Sequence, residues 1–220
     1  MTVKAVVFDM DGVLLDTESV CFECWKRAGE QIGVYDSQEA YHLCVGTNVN
    51  DTRLILHERY GAAFDADDFI ERTRVLFHVV ESEKGLSLMP HVRECLDSLK
   101  AQGFRLAVAS STRSEAVHRQ LGAAGIIGCF ETITCGDTVE HSKPAPDIYL
   151  KACESLRLSP AECIAVEDSP NGVRAAVAAG MKCVMVPDQV QPTKEIRALA
   201  TVVLHDLGEV PEFVTRRCLD

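Results

Sequence analysis

Two carboxylates stand two residues apart near the start of the chain, Asp9 and Asp11, with Met10 between them and Gly12 next. On an extended segment, side chains at i and i+2 leave on the same side. Both acids then face one way, and Met10 turns into the core. Such a pair can divide the work of phosphoryl transfer. One carboxylate attacks phosphorus and forms an aspartyl-phosphate. The other protonates the leaving oxygen and later takes a proton from water. Glu167 and Asp168 add oxygen ligands. That chemistry suits Mg²⁺, which takes hard oxygens and leaves positions for phosphate. A cation on Asp168 would shield the attacking anion from an anionic substrate. Ser110, Ser111 and Thr112 offer hydroxyls, and Lys143 offers a point charge for phosphoryl oxygens. Thr112-Arg113-Ser114-Glu115 has the spacing of a capping box, which predicts a helix start. The free N–H groups there, with the Ser110 hydroxyl, could bind phosphate oxygens.

Taken singly, each group has a plainer reading. Asp-x-Asp is common in surface turns, two serines often cap a helix, and a lone lysine is usually solvated. Glu167-Asp168-Ser169-Pro170 is an ordinary helix entry. Taken together they gain meaning from their positions. Short, continuous apolar runs lie at 4–8, 104–109, 132–135, 163–166, 183–186 and 201–204. Continuity rather than alternation predicts strands covered on both faces. Asp9, Ser110 and Glu167 each follow one of these runs. Between the runs lie helical patterns. Val92, Cys95, Leu96 and Leu99 repeat at helical spacing, and a second helix is capped by Ser169, opened by Pro170 and closed by Gly180. Alternating strands and helices from about residue 90 predict an α/β fold, a Rossmann-like doubly wound parallel sheet with right-handed crossovers. Ligands bind such sheets at the carboxyl ends of the strands, where these groups would meet.

Residues 17–86 break the rhythm. Cys21, Cys24, Trp25, Ala28 and Ile32 mark an amphipathic helix, and residues 54–59 and 69–80 suggest two or three more. The expected organisation is a catalytic core of residues 1–16 and 87–220, with an inserted α-helical cap domain at 17–86. Segments 12–17 and 83–88 would join them as a hinge, so the insertion could act as a lid.

Composition narrows the partners. The 220 residues are 47% hydrophobic and 25% charged, an ordinary globular balance, with a net charge of −11. A surface that acidic repels nucleic-acid backbones, and no apolar run would span a membrane. The ten cysteines sit without a secretory signal, so a disulfide framework is disfavoured and a cytoplasmic location expected. Cys95, Cys129, Cys153, Cys163 and Cys183 read as small core residues. Cys21 and Cys24 lie on the apolar side of a helix with no second pair to complete a zinc site. A monomer is the default expectation for a chain of this size.

The motifs as a set resemble the haloacid dehalogenase-like phosphohydrolases with a helical cap. Asp9-Met-Asp11-Gly-Val-Leu-Leu-Asp16-Thr is similar to the first motif of that superfamily, and Val108-Ala-Ser110-Ser to the second. Ser142-Lys143-Pro-Ala-Pro is similar to the third and Val166-Glu167-Asp168-Ser-Pro-Asn-Gly172 to the fourth. The resemblance implies Asp9 as nucleophile and Asp11 as general acid/base. It implies Mg²⁺ held by Asp9, the Asp11 carbonyl and Asp168, with Glu167 close by or ligating. Ser110 and Lys143, with Ser111 beside them, would bind the transferring phosphoryl of a small phosphorylated metabolite. The presence of Asp11 argues against a true dehalogenase.

Within this resemblance the β-phosphoglucomutase-like proteins stand nearest, and two activities compete there. A phosphatase gives the phosphoryl to water. A sugar phosphomutase returns it to a bisphosphate intermediate, whose second phosphate needs a cationic grip. In those mutases an arginine follows a glycine turn of the cap and a lysine precedes it. The matching stretch here, residues 45–51, contains neither. Cys21 stands where those mutases carry a histidine. Enclosing an unmatched phosphate dianion is costly, so the phosphatase is favoured unless Arg53, Arg72, Arg74 or His78 compensates. Thr47, Asn48 and Asn50 could bond a polyol or sugar phosphate, though a helix cap at Asn50 or Asp51 is the simpler reading. Asp16 is expected to cap the first cap helix. A signalling receiver or a catalytically dead binding module is a third possibility. A receiver would be shorter, and a dead module would usually lack Asp9, Asp11 or Lys143.

Overall fold

The computed structural model describes residues 2–45 and 49–219, with side chains through residue 216. The chain divides into two compact units, Met1–Leu15 with Ser87–Asp220, and Asp16–Leu86.

The first unit is built on six parallel strands: β1 (Ala5–Phe8), β2 (Arg105–Ser110), β3 (Thr132–Cys135), β4 (Cys163–Glu167), β5 (Lys182–Met185) and β6 (Val202–Val203). Their order is β3-β2-β1-β4-β5-β6. Phe8 pairs with Val108 on one side and Val166 on the other. The order reverses between β1 and β4, the switch point at which ligands of doubly wound sheets bind. Every residue of β1 and β4 is buried. That is why these strands read as unbroken apolar runs, since both faces are covered. Two strands run further than the apolar runs suggest. Ser110 pairs with Cys135 and Glu167 with Met185. These two polar residues are the last rungs of the sheet, which fixes their backbones.

Helices of this unit, numbered after those of the other unit, are α5 (Val92–Ala101), α6 (Ser114–Ala123), α7 (Asp147–Ser155), α8 (Pro170–Ala178), α9 (Lys194–Leu199) and α10 (Val210–Leu219). The periodic residues of α5 are all buried. Ser169 caps α8, accepting from the Gly172 N–H, and Pro170 opens it. Ile148, Tyr149 and Cys153 of α7 pack with Val173 and Ala176 of α8, under Val7 and Ala165 of the sheet.

The second unit consists, among the described residues, of α1 (Thr17–Ile32), α2 (Ser37–Cys44), α3 (Val49–Tyr60) and α4 (Ala66–Lys84). Trp25, Ala28, Tyr41, Leu56 and Phe69 form its core. Trp25 meets Phe69 edge-on at 5.1 Å and Tyr41 at 5.5 Å, a geometry favoured by the ring quadrupole. Asp16 caps α1, accepting from the Ser19 N–H at 3.2 Å.

Three expectations need correction. Helix α3 starts at Val49, so Asn50 and Asp51 lie inside its first turn rather than capping it. Thr47 and Asn48 lie outside the described residues. The expected connector 12–17 is mostly not loose, because Val13, Leu14 and Leu15 are buried. The Leu14 and Leu15 N–H groups donate to Met10, and Leu15 pairs with Leu88. Cys129 is only half-buried, in a short turn before β3, whereas Cys95, Cys153, Cys163 and Cys183 are core residues as expected. The nine cysteines with described side chains are free thiols.

Candidate active site

Asp9 leaves the end of β1 with its N–H bonded to Val166 of β4 at 2.9 Å. Its carboxylate is almost fully buried. Lys143 reaches it from the loop before α7, with Nζ 2.7 Å from Asp9 Oδ1 and 2.6 Å from Glu167 Oε1. The same ammonium donates to the Ala109 carbonyl at 3.1 Å. Glu167 is completely buried and accepts a second bond to Oε1 from the Tyr149 hydroxyl, at 2.6 Å. The Ser169 hydroxyl stands 3.3 Å from its other oxygen. Carboxylate oxygens of Asp9, Glu167 and Asp168 lie within 4.8 Å of one another.

Two glycines make this crowding possible. Gly12 sits at φ +72°, and a Cβ there would come within 2.5 Å of Asp168 Oδ2. A Cβ on Gly172 would fall 1.9 Å from the Glu167 carboxyl. The first glycine turns the chain away after Asp11, and the second clears the start of α8 for a buried acid.

The electrostatics follow from burial. Desolvation pushes the Asp9 carboxyl up to about 7; Lys143 opposes the shift, while Glu167 and Asp11 add to it. Burial works against the Lys143 charge, yet Asp9 and Glu167 outweigh it and hold the ammonium protonated. Burial, with Glu167 beside it, keeps the Tyr149 phenol neutral and donating. Lys143 is one ammonium facing two buried acids, and Asp168 and Asp11 stand close. The donor set is hard oxygen with surplus negative charge, so it fits Mg²⁺.

Asp11 points elsewhere. Its Oδ2 accepts from the Thr112 hydroxyl at 2.9 Å and faces the Ser110 hydroxyl at 3.3 Å. Its carboxylate is not in the cluster with Asp9, Glu167 and Asp168. The structure thus brings Asp9, Lys143, Glu167 and Asp168 together, and ties Asp11 to Ser110 beside them. Ser111 is exposed at the same edge.

The capping-box expectation fails here. Helix α6 begins at Ser114, one residue late for a Thr112 cap, with no side-chain cap from Arg113. Asp137 takes the capping role from outside, accepting from both the Ser114 N–H and its hydroxyl. The Thr112 N–H is also engaged, donating to Ser110 Oγ at 3.0 Å. Two amides expected to be open to phosphate therefore have partners within the protein.

Sequence reasoning missed Tyr149, Gly136 and Asp137. The signal for Tyr149 was a hydroxyl-bearing residue on the apolar face of α7. For the other two it was a Gly-Asp step directly after the β3 run. A Cβ on Gly136 would lie 2.0 Å from the Ser111 carbonyl oxygen, so this loop supports the hydroxyl loop from below.

Residues 6–186 match the haloacid dehalogenase-like hydrolase family. The chain belongs to that family. It is 33% identical over 182 residues to a phosphorylated carbohydrates phosphatase from Thermotoga maritima, covering 81% of this chain and 82% of that one. It is 32% identical over 189 residues to a beta-phosphoglucomutase from Bacillus subtilis, covering 83% of each. The crystal structure of CbbY from Rhodobacter sphaeroides in complex with phosphate superposes with a TM-score of 0.75 at 28% identity, over 94% of this chain and 96% of that one. This family member is an enzyme of phosphate esters, on a parallel six-stranded α/β sheet. No helix of the described residues is long and apolar enough to cross a membrane.

Proposed function

We propose that this protein hydrolyses small phosphate monoesters of the sugar or polyol class through an aspartyl-phosphate on Asp9. One observation carries the reading. A buried carboxylate at the sheet's switch point touches a buried ammonium, beside two further acids, with a second carboxylate two residues along held by hydroxyls.

The steps follow from these residues. Lys143 and the hydroxyls of Ser110 and Ser111 bind the phosphoryl oxygens and orient phosphorus toward Asp9. Asp9 attacks, and the ester P–O bond breaks. Asp11 gives its proton to the departing oxygen, then removes one from the water that cleaves the acyl phosphate. Asp9, Glu167 and Asp168, with the Asp11 carbonyl, would hold Mg²⁺, which offsets the repulsion between two anions. Tyr149 and Ser169 keep Glu167 oriented toward Lys143. Residues 17–86 are assigned the selection of the ester's leaving group.

The similarity to a beta-phosphoglucomutase favours a second reading, a sugar phosphomutase. It would need a cation in the helical unit for the second phosphate. Each cation considered there already faces an acid: Arg53 with Asp67 at 2.5 Å, Arg72 with Asp68 at 2.5 Å, Arg74 with Glu71 at 3.5 Å and His78 with Glu81 at 3.4 Å. These exposed pairs are weak; what supports the phosphatase is that residues 45–51, the stretch matching the cationic turn of the mutases, contain neither arginine nor lysine.

The test is a panel of phosphorylated metabolites with Mg²⁺, including β-glucose 1-phosphate, with free phosphate and glucose 6-phosphate measured together. Phosphate release without isomerisation is the expected result. Isomerisation with little free phosphate would establish the mutase instead.

A further inference from the structure

We propose that Thr112 is a positioning residue for Asp11, holding the carboxyl that delivers the proton to the leaving group. This inference rests on the phosphatase reading above. It begins with a chain of three hydrogen bonds at the end of β2. The Thr112 N–H donates to Ser110 Oγ at 3.0 Å, which turns the Ser110 hydrogen toward Asp11 Oδ2 at 3.3 Å. The Thr112 hydroxyl, better placed at 2.9 Å, donates to the same Oδ2. Residue 112 therefore addresses Asp11 twice, once directly and once through Ser110.

When Asp9 attacks, the ester P–O bond breaks and its electron pair stays on the ester oxygen. That oxygen takes the hydrogen of the Asp11 carboxyl, and Asp11 is left as a carboxylate whose Oδ2 the Thr112 hydroxyl continues to stabilise when a phosphoryl oxygen engages Ser110. The loop is held rigidly enough for this. Gly136 N–H donates to the Thr112 carbonyl at 3.0 Å, and Asp137 pins Ser114 two residues on.

The chemistry supplies a test that a structural role would not satisfy. Proton delivery matters greatly for an alkoxide leaving group and little for a nitrophenolate, which departs without help. We therefore compare Thr112→Val with the parent in single-turnover ester cleavage, enzyme in excess, with Mg²⁺. The substrates are an alkyl phosphate and 2,4-dinitrophenyl phosphate. General acid catalysis is worth about 10²–10⁴-fold, so misplacing the acid should cost the alkyl ester about ten- to a hundredfold. The dinitrophenyl ester should change less than about threefold. Thr112→Ser, which restores the hydroxyl, should recover the alkyl ester rate. Equal losses on both esters, or a Thr112→Ser variant as slow as Thr112→Val, would overturn the proposal. So would an unchanged alkyl ester rate in Thr112→Val. If the parent itself cleaves neither ester, the phosphatase reading falls, and the assignment of Thr112 with it. Near-equal thermal unfolding midpoints for the three proteins would establish that the fold is intact.

Discussion

Charges are placed differently in the two units. In the helical unit, Arg53, Arg59 and Arg72 meet Asp67, Asp36 and Asp68 at the surface. In the sheet unit, Lys143 meets Asp9 and Glu167 with all three side chains almost entirely out of water. Exposed pairs are screened and contribute little. A buried pair is strongly destabilising to break, because the surviving partner cannot be solvated. The charges of the helical surface can thus change at little cost in stability. Those of the sheet edge cannot, since each of its groups answers to two or three others. That contrast teaches where a change of charge is tolerated.

The largest effect that could break the contrast is at the proposed nucleophile. Asp9→Asn should lower ester hydrolysis by about 10⁴-fold or more while the protein stays folded, as expected for removal of an attacking group. Arg53→Ala, which breaks exposed contacts with Asp67 and Asn50, should leave the rate nearly unchanged. Steady-state kinetics on both variants decides. Comparable losses from both would erase the division of labour.

Next in size is stability. Lys143→Met leaves Asp9 and Glu167 buried without their cation, and should cost about 3–5 kcal/mol in the absence of Mg²⁺. Added Mg²⁺ should restore part of that loss, since a cation would stand in for the missing charge. Arg59→Met breaks contacts with both Asp36 and Glu39, yet should shift the denaturation midpoint too little to resolve. Urea titrations with and without Mg²⁺ measure both. Tyr149→Phe is a smaller and sharper perturbation. It removes one buried donor from Glu167 and should cost about 1–3 kcal/mol. Mg²⁺ titration followed by calorimetry should show weaker binding. Unchanged affinity would mean that the tyrosine hydroxyl only satisfies Glu167 and does not orient the site.

The sheet unit was largely legible in the sequence, and for a physical reason. Strands buried on both faces must be continuously apolar, so the polar residue that ends each one stands out. Asp9, Ser110 and Glu167 are visible on that ground alone. What stayed hidden were residues whose role depends on a neighbour distant in sequence. Thr112 has the local spacing of a cap, and only the fold brings Asp11 to its hydroxyl. Asp137 caps α6 from 23 residues away. Local patterns also misplaced the start of α3 and left α2 unassigned, because Ser37–Cys44 is only eight residues long and mixes polar with apolar positions. Four aromatic and aliphatic anchors, Trp25, Tyr41, Leu56 and Phe69, hold the helical unit together. Of the residues read as the apolar face of α1, Cys24, Trp25 and Ala28 are buried, Cys21 is half-buried and Ile32 is exposed at the end of the helix.

The last comparison is one of sign. In ion-free protein, burial raises Asp9 to about 7, above the ordinary carboxylate value of 3.8. The folded state then holds a proton that the unfolded chain has released. Stability of the sheet unit should fall as pH rises from about 4 to about 7, and Mg²⁺ should flatten that slope. Asp36 behaves in the opposite sense. The Arg59 guanidinium holds its carboxyl below the ordinary value. Its contribution is therefore present above about 4 and is lost as pH falls further. Because Asp36 is exposed, the loss should be slight. Amide exchange resolved by unit, without Mg²⁺, should show the sheet gaining protection between pH 7 and pH 4 while the helices hold steady. Below about pH 4 the helices around α2 and α3 should loosen first. Parallel slopes in the two units would mean that their acids are held by the same physics, and that burial at the sheet edge does not set the charge state of Asp9.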